Sequence, residues 1–132
     1  MSFETDFVKV FWDDATGAVH LRWSGFVNSA QLREGLEAGL ALVEEKGARR
    51  WVGDCTRLGP MSSEEQAWVN TDWFPRLLAA GMERMAVIMP AKVIASMAVD
   101  NIMQEVEGTS LVTCHFGDYD EGCAWVAESA AA

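Results

Sequence analysis

The side chains that could start a reaction are few: three Cys (Cys55, Cys114, Cys123) and two His (His20, His115). A nucleophilic Cys needs a base within reach and a lowered pKa. Cys55 follows Asp54 at what reads as a strand tip, where catalytic groups often lie. Its potential bases are badly placed, because His20 is expected to face outward from an N-terminal hairpin and His115 comes from a distant strand. Cys114 and His115 are neighbours on a strand and so point to opposite faces, which keeps them from sharing one metal ion. No HExxH string, paired Cys/His spacing or Gly-rich phosphate cradle occurs. The sequence therefore predicts no catalytic residue, no metal and no cofactor, with all three thiols buried and inert.

Residues better suited to binding lie between Asp54 and Phe74. In an open α/β sheet, ligands gather beyond the carboxyl ends of parallel strands, where loops meet helix N-termini. Asp54, Cys55, Thr56 and Arg57 occupy such a place, and Ser62 and Ser63 open the helix that follows. Ser62 with Glu65 three residues on is a capping box, so the first role of Ser62 is to accept backbone N–H bonds. The helix start could also hold an anion, which makes Ser62 and Ser63 possible phosphoacceptors, although Glu64 and Glu65 already supply negative charge there. Further along, Trp68, Trp73 and Phe74, with Val69, Leu77 and Leu78, spread over more than one stripe. Two readings follow. The helix is sunk and its rings are core, or it carries an exposed aromatic patch that marks an interface or the wall of an apolar pocket. Met82, Met85, Met89, Met97 and Met103 would give such a pocket a deformable lining.

The elements that position these residues can be read in order. Val8, Val10 and Trp12, then Val19, Leu21 and Trp23, alternate with other residues around Asp13-Asp14-Ala15-Thr16-Gly17, which is a β-hairpin pattern. Asn28 with Gln31 opens a helix whose Leu32, Leu36, Leu40 and Val43 share a stripe, closed by Gly47. A buried strand at 50–55 leads to the second helix, expected from Ser62 to about Ala80, with Pro75 kinking it or starting a fresh turn. A strand at 85–89 precedes a helix with Ile94, Ala98, Ile102 and Val106 on one stripe. A strand at 111–116 precedes a last helix capped by Asp118. Ser129 to Ala132 reads as a frayed end. The order β-β-α-β-α-β-α-β-α predicts one α/β domain over 1–132, a mixed sheet of antiparallel hairpin and parallel strands, and about four helices.

Composition bounds the partners. The chain of 132 residues carries 20 acidic and 10 basic residues, a net charge of −10. Such a field repels phosphate backbones and anionic lipid, so neither nucleic acid nor a membrane is expected as a partner. Beyond Lys92 there is no Lys or Arg, while Asp100, Glu105, Glu107, Asp118, Asp120, Glu121 and Glu128 all follow. This acidic C-terminal stretch predicts a protein partner with a basic patch. An odd set of Cys without CxxC spacing, an acidic start and no long apolar run together predict a cytoplasmic protein.

Two stretches carry a resemblance. Trp51-Val52-Gly53-Asp54, its loop, Glu65-Gln66-Ala67-Trp68 and Asp72-Trp73-Phe74-Pro75-Arg76-Leu77 form the first; Phe116-Gly117-Asp118 with Glu121, Ala124 and Trp125 forms the second. With the element order, they resemble the sulfate-transporter and anti-sigma-factor-antagonist (STAS) domains of the SpoIIAA-like fold, and more narrowly small stand-alone bacterial relatives. The resemblance spans Phe7 to Val126. It implies a non-enzymatic regulatory or protein-interaction module, with a carrier of a small apolar, lipid-like ligand as the alternative. Apart from the resemblance, hairpin edges and exposed aromatics invite self-association as a homodimer. Antagonists of that group carry a phosphorylated Ser or Thr after an Asp-Ser motif at the matching loop. Here Asp54 is followed by Cys55-Thr56-Arg57, a departure from that motif.

Overall fold

The computed structural model describes residues 2–130. Turn chemistry sets its first half. Asp13 Oδ2 accepts the backbone N–H and hydroxyl of Thr16, and Gly17 takes a positive φ of 65°, which folds β2 (Val8–Asp13) back on β3 (Ala18–Gly25). A strand not foreseen from sequence, β1 (Ser2–Glu4), pairs antiparallel with β2 and takes the sheet edge that the hairpin was expected to supply. Three residues are too few to show a period of two, which is why β1 leaves no signal.

Parallel strands β4 (Arg50–Leu58), β5 (Arg84–Ile88) and β6 (Val112–Phe116) extend the sheet from β3, giving the spatial order β1-β2-β3-β4-β5-β6. The mixed α/β sheet is thus the one the hydrophobic periods require. Helix α1 (Ser29–Lys46) has the Asn28–Gln31 capping box and ends on Gly47 at φ 60°. The second helical region has three parts: α2 (Ser63–Trp68), a π turn (Val69–Trp73) and α3 (Phe74–Ala79). Pro75 explains the break. It has no N–H to give the carbonyl four residues back, and the π turn widens the ladder so that Phe74 N–H reaches Val69 O instead.

Helix α4 (Val93–Val106) buries Ala98, Ile102 and Val106 as expected, but Ile94 is exposed. The buried face of α4 is turned toward Ala95, Val99 and Met103, which leaves Val93 and Ile94 in solvent at the helix start. Helix α5 (Tyr119–Ala130) starts where Asp118 accepts the Glu121 N–H. Ser129 and Ala130, expected to fray, belong to it; Ala131 and Ala132 lie outside the described residues.

The layers are unequal. The larger core joins one sheet face to α1, the α2–α3 unit and α4, and holds Trp23, Trp51 and Trp73. A smaller core of Ala18, Val52, Ala86, Ile88 and Val126 lies under α5 on the opposite face. Strands β3 and β4 are therefore covered on both sides for part of their length.

Close approach of α1 depends on two glycines. A Cβ on Gly35 would come within 2.6 Å of the Trp23 ring, and one on Gly39 within 2.5 Å of the Trp51 ring and 2.8 Å of Leu21. Gly39→Ala would gain at most about 1 kcal/mol of helix propensity. Overpacking costs about 1–3 kcal/mol and outweighs it. Chemical denaturation should show the variant destabilised; a stabilised variant would mean that α1 sits farther from the sheet.

Candidate functional site

Strand alternation separates the residues of the Asp54–Arg57 stretch. Asp54 turns to the α5 face and is buried, whereas Cys55 enters the larger core. A register shift between Arg22 and Ser24 places an extra residue in β4, so Cys55 and Leu58, three apart, both reach that core. The same irregularity leaves Thr56 and Arg57 exposed. Thr56 donates its N–H (3.1 Å) and hydroxyl (2.6 Å) to Asp54 Oδ1, while Arg22 Nε donates to Asp54 Oδ2 at 3.0 Å. Burial, with the Asp54 charge adding to it, pushes the Cys55 thiol up to about 12. At neutral pH it is a thiol and a poor nucleophile.

Ser62 and Ser63 are exposed. Ser62 Oγ accepts the Glu65 N–H at 3.2 Å and Glu65 returns a bond to the Ser62 N–H at 2.8 Å, which completes the capping box. The aromatic residues that follow do not form an open patch. Trp73 and Phe74 are only 2% and 5% exposed. Trp73 donates its indole N–H to Leu36 O at 3.0 Å and meets Trp51 and Phe74 edge-on. Trp68 is half-buried, with the Arg33 guanidinium 4.8 Å from its ring centroid. Val69, Trp73, Phe74 and Leu77 lie on one arc around the π turn, and burying all four stabilises the helix more than exposing them could. The exposed-aromatic reading of this helix is thereby corrected.

Behind those rings is a narrow apolar cavity of about 80 Å³ between the sheet and α4, lined by Trp51, Trp73, Val99, Ile102 and Met103 among others. Exposed apolar groups occur elsewhere, at the rim. Phe26, Val93, Ile94 and Met97 are 72%, 72%, 71% and 59% exposed. Phe26 and the residues just before Val93 border one groove with Arg57, Gly59 and Pro60. Nothing in the local pattern marked these residues as exposed, since Val93, Ile94 and Met97 extend a helix stripe that reads as core.

The second grouping that sequence reasoning missed lies under the start of α5. His20 was expected to face solvent but is buried, stacked on Phe11 with ring centroids 4.8 Å apart. The alternation was right about Leu21 and silent on whether a helix covers the other face. Thr16 Oγ1 lies 2.8 Å from both Asp13 Oδ2 and His20 Nε2, and His20 Nδ1 lies 2.6 Å from the Tyr119 hydroxyl. The single hydroxyl proton of Thr16 goes to Asp13, so His20 Nε2–H must donate to Thr16. Nδ1 is then bare and accepts the Tyr119 O–H. Burial lowers the His20 pKa from 6.5 to about 4, with Arg22 acting the same way and Asp13 and Asp54 opposing. Burial raises the Tyr119 pKa, so both partners are neutral.

Among the described residues, no group of three His, Cys, Asp or Glu is placed to hold a metal, and no helix is long and apolar enough to cross a membrane. The chain matches no model of a known protein family and no curated protein.

A depressed His pKa means that the unfolded chain binds the proton first. Stability from this group is complete above pH 6.5 and is lost as pH falls toward 4, by on the order of 3 kcal/mol. Denaturation of wild type and His20→Gln between pH 7 and pH 4 should show the stability gap between them narrowing as pH falls. Parallel curves would mean that His20 is not buried neutral.

Proposed function

We propose that the chain is a non-enzymatic binding module of the STAS-like type, and that it engages a protein partner through the exposed start of α4 together with Phe26. The observation that carries this reading is the exposure of Val93, Ile94 and Met97 at the start of α4 and of Phe26 on a groove that Ala91 and Lys92 also border. Moving toward the C-terminus of α4, the exposed surface becomes acidic at Asp100, Glu105 and Glu107. A complementary partner has an apolar ridge flanked by basic residues, and its association weakens as salt rises. The low reactivity of Cys55 and the enclosure of His20 both support a non-enzymatic role. Ser62 and Ser63 remain available to a kinase at the edge of the same end of the sheet, although Ser62 serves as a cap. A second copy of the chain is another partner of this surface.

The alternative, a carrier of a small apolar ligand, has its support in the cavity behind Trp73. At about 80 Å³ that space is below the ~150 Å³ of a cavity known to take benzene. A lipid-like ligand therefore requires α4 to move away from the sheet, and the contact surface on α4 is the better-supported reading.

Retention of proteins from the native host by wild type and by Ile94→Asp/Met97→Asp tests the reading, alongside sedimentation of each alone. Both positions are exposed, so circular dichroism should be unchanged. The expected result is a retained protein or a self-association present in wild type and lost in the variant. Identical behaviour of the two proteins would sink the assignment.

A further inference from the structure

Strand register aligns one row of side chains straight across the sheet on the α5 face: Glu4, Lys9, Arg22, Asp54, Ile88 and Phe116. Helix α5 covers the far end of the row, where a Cβ on Gly122 would already touch Ile88. The near end opens into a cleft of about 570 Å³ bounded by Lys9, Arg22, Arg57, Asp118 and Tyr119. That volume lies within the range of small-molecule sites, roughly 300–1,000 Å³.

We propose that this cleft binds a small organic carboxylate through the outer nitrogens of Arg22. The guanidinium is fixed on two sides before any ligand arrives. Its Nε donates to Asp54, and its Cζ lies over the Tyr119 ring, 4.0 Å from the centroid. The supports are themselves held, Asp54 by Thr56 and Tyr119 by His20. Neither Nη nitrogen has a hydrogen-bond partner among the described residues, and the side chain is 48% exposed along the cleft. Two N–H groups in a fixed plane match the two oxygens of a carboxylate, and their ordering cost has been met within the fold.

Charge in the cleft points the same way. Lys9 stands directly opposite Arg22, and the pair is flanked by Glu4 on one side and Asp54 on the other. Arg57 adds a third cation from the irregular end of β4. Three carboxylates line it as well: Asp54, held by Arg22 and Thr56, Asp118, which accepts the Glu121 N–H, and Glu4 opposite Lys9. Three cations against three carboxylates leave the cleft near neutral in a chain whose net charge is −10, so an anion meets less repulsion here than over the molecule as a whole. The Tyr119 ring borders the cleft, which suits a ligand with an apolar body behind its carboxylate.

Titration of ¹⁵N-labelled protein with sodium succinate, sodium benzoate and sodium phosphate, each against sodium chloride of equal ionic strength, tests the proposal. At least one carboxylate should shift the Arg22 Nε–Hε signal saturably. Arg22→Lys, which keeps the charge but not the fork, should raise the Kd about tenfold. The exposed pair Lys9→Gln/Arg57→Gln should raise it severalfold with the fold intact. Shifts that merely follow ionic strength, a Kd unchanged in both variants, or tighter binding of phosphate than of either carboxylate would each overturn the assignment.

Discussion

The two-sided burial of β3 and β4 is the constraint on which the rest depends. Each strand sends alternate side chains to opposite faces, and here both faces are covered by helices. One set meets α1, the π turn and α4 and is apolar: Leu21, Trp23, Trp51 and Cys55. The other set contains the buried polar groups His20 and Asp54, with Arg22 at its exposed end. Burying such groups is costly without partners, so Thr16, Thr56 and Tyr119 must be where they are. Placement of α5 follows, because Tyr119 opens that helix and its hydroxyl and ring serve His20 and Arg22 together.

The two faces leave different surfaces open. On the α1–α4 side, three Trp side chains fill the core so completely that only a narrow cavity remains, and the apolar groups left over emerge at the start of α4. That surface suits contact with a macromolecule. On the α5 side, a short cover over a wide sheet leaves β1 and β2 unroofed and makes a polar cleft beside the ordered Arg22. Ligand occupancy there and contact at α4 both lie near the carboxyl ends of the parallel strands, with Arg57 bordering each groove.

The fold was legible because the strong periods are local. The Asn28–Gln31 and Ser62–Glu65 capping boxes, the stripe of α1 and the apolar runs of β4 and β5 each announce an element and its limits. Much of the site was not legible, since it depends on which element covers which. Arg22 and His20 occupy the polar beat of an alternating strand, the usual mark of a solvent face, and only the docking of α5 almost a hundred residues later reverses that for His20. Asp54 and Cys55 looked like one site and are on opposite sides of the sheet. Trp73 and Phe74 had two readings from sequence; the indole bond to Leu36 decides for the core. Ile94 is the converse case, a core-like stripe residue carried beyond the core by the position of its helix.

The state of His20 reports this architecture in one observation. Long-range ¹H–¹⁵N correlation of the imidazole nitrogens in labelled protein distinguishes the two neutral tautomers from the cation. With Tyr119 donating to Nδ1 and Nε2–H donating to Thr16, the ring should remain the Nε2–H tautomer at pH 5.5, with separate signals for its two nitrogens. An imidazole that protonates near pH 6.5, with averaged nitrogens, would contradict the account, because it would place His20 in water and α5 elsewhere.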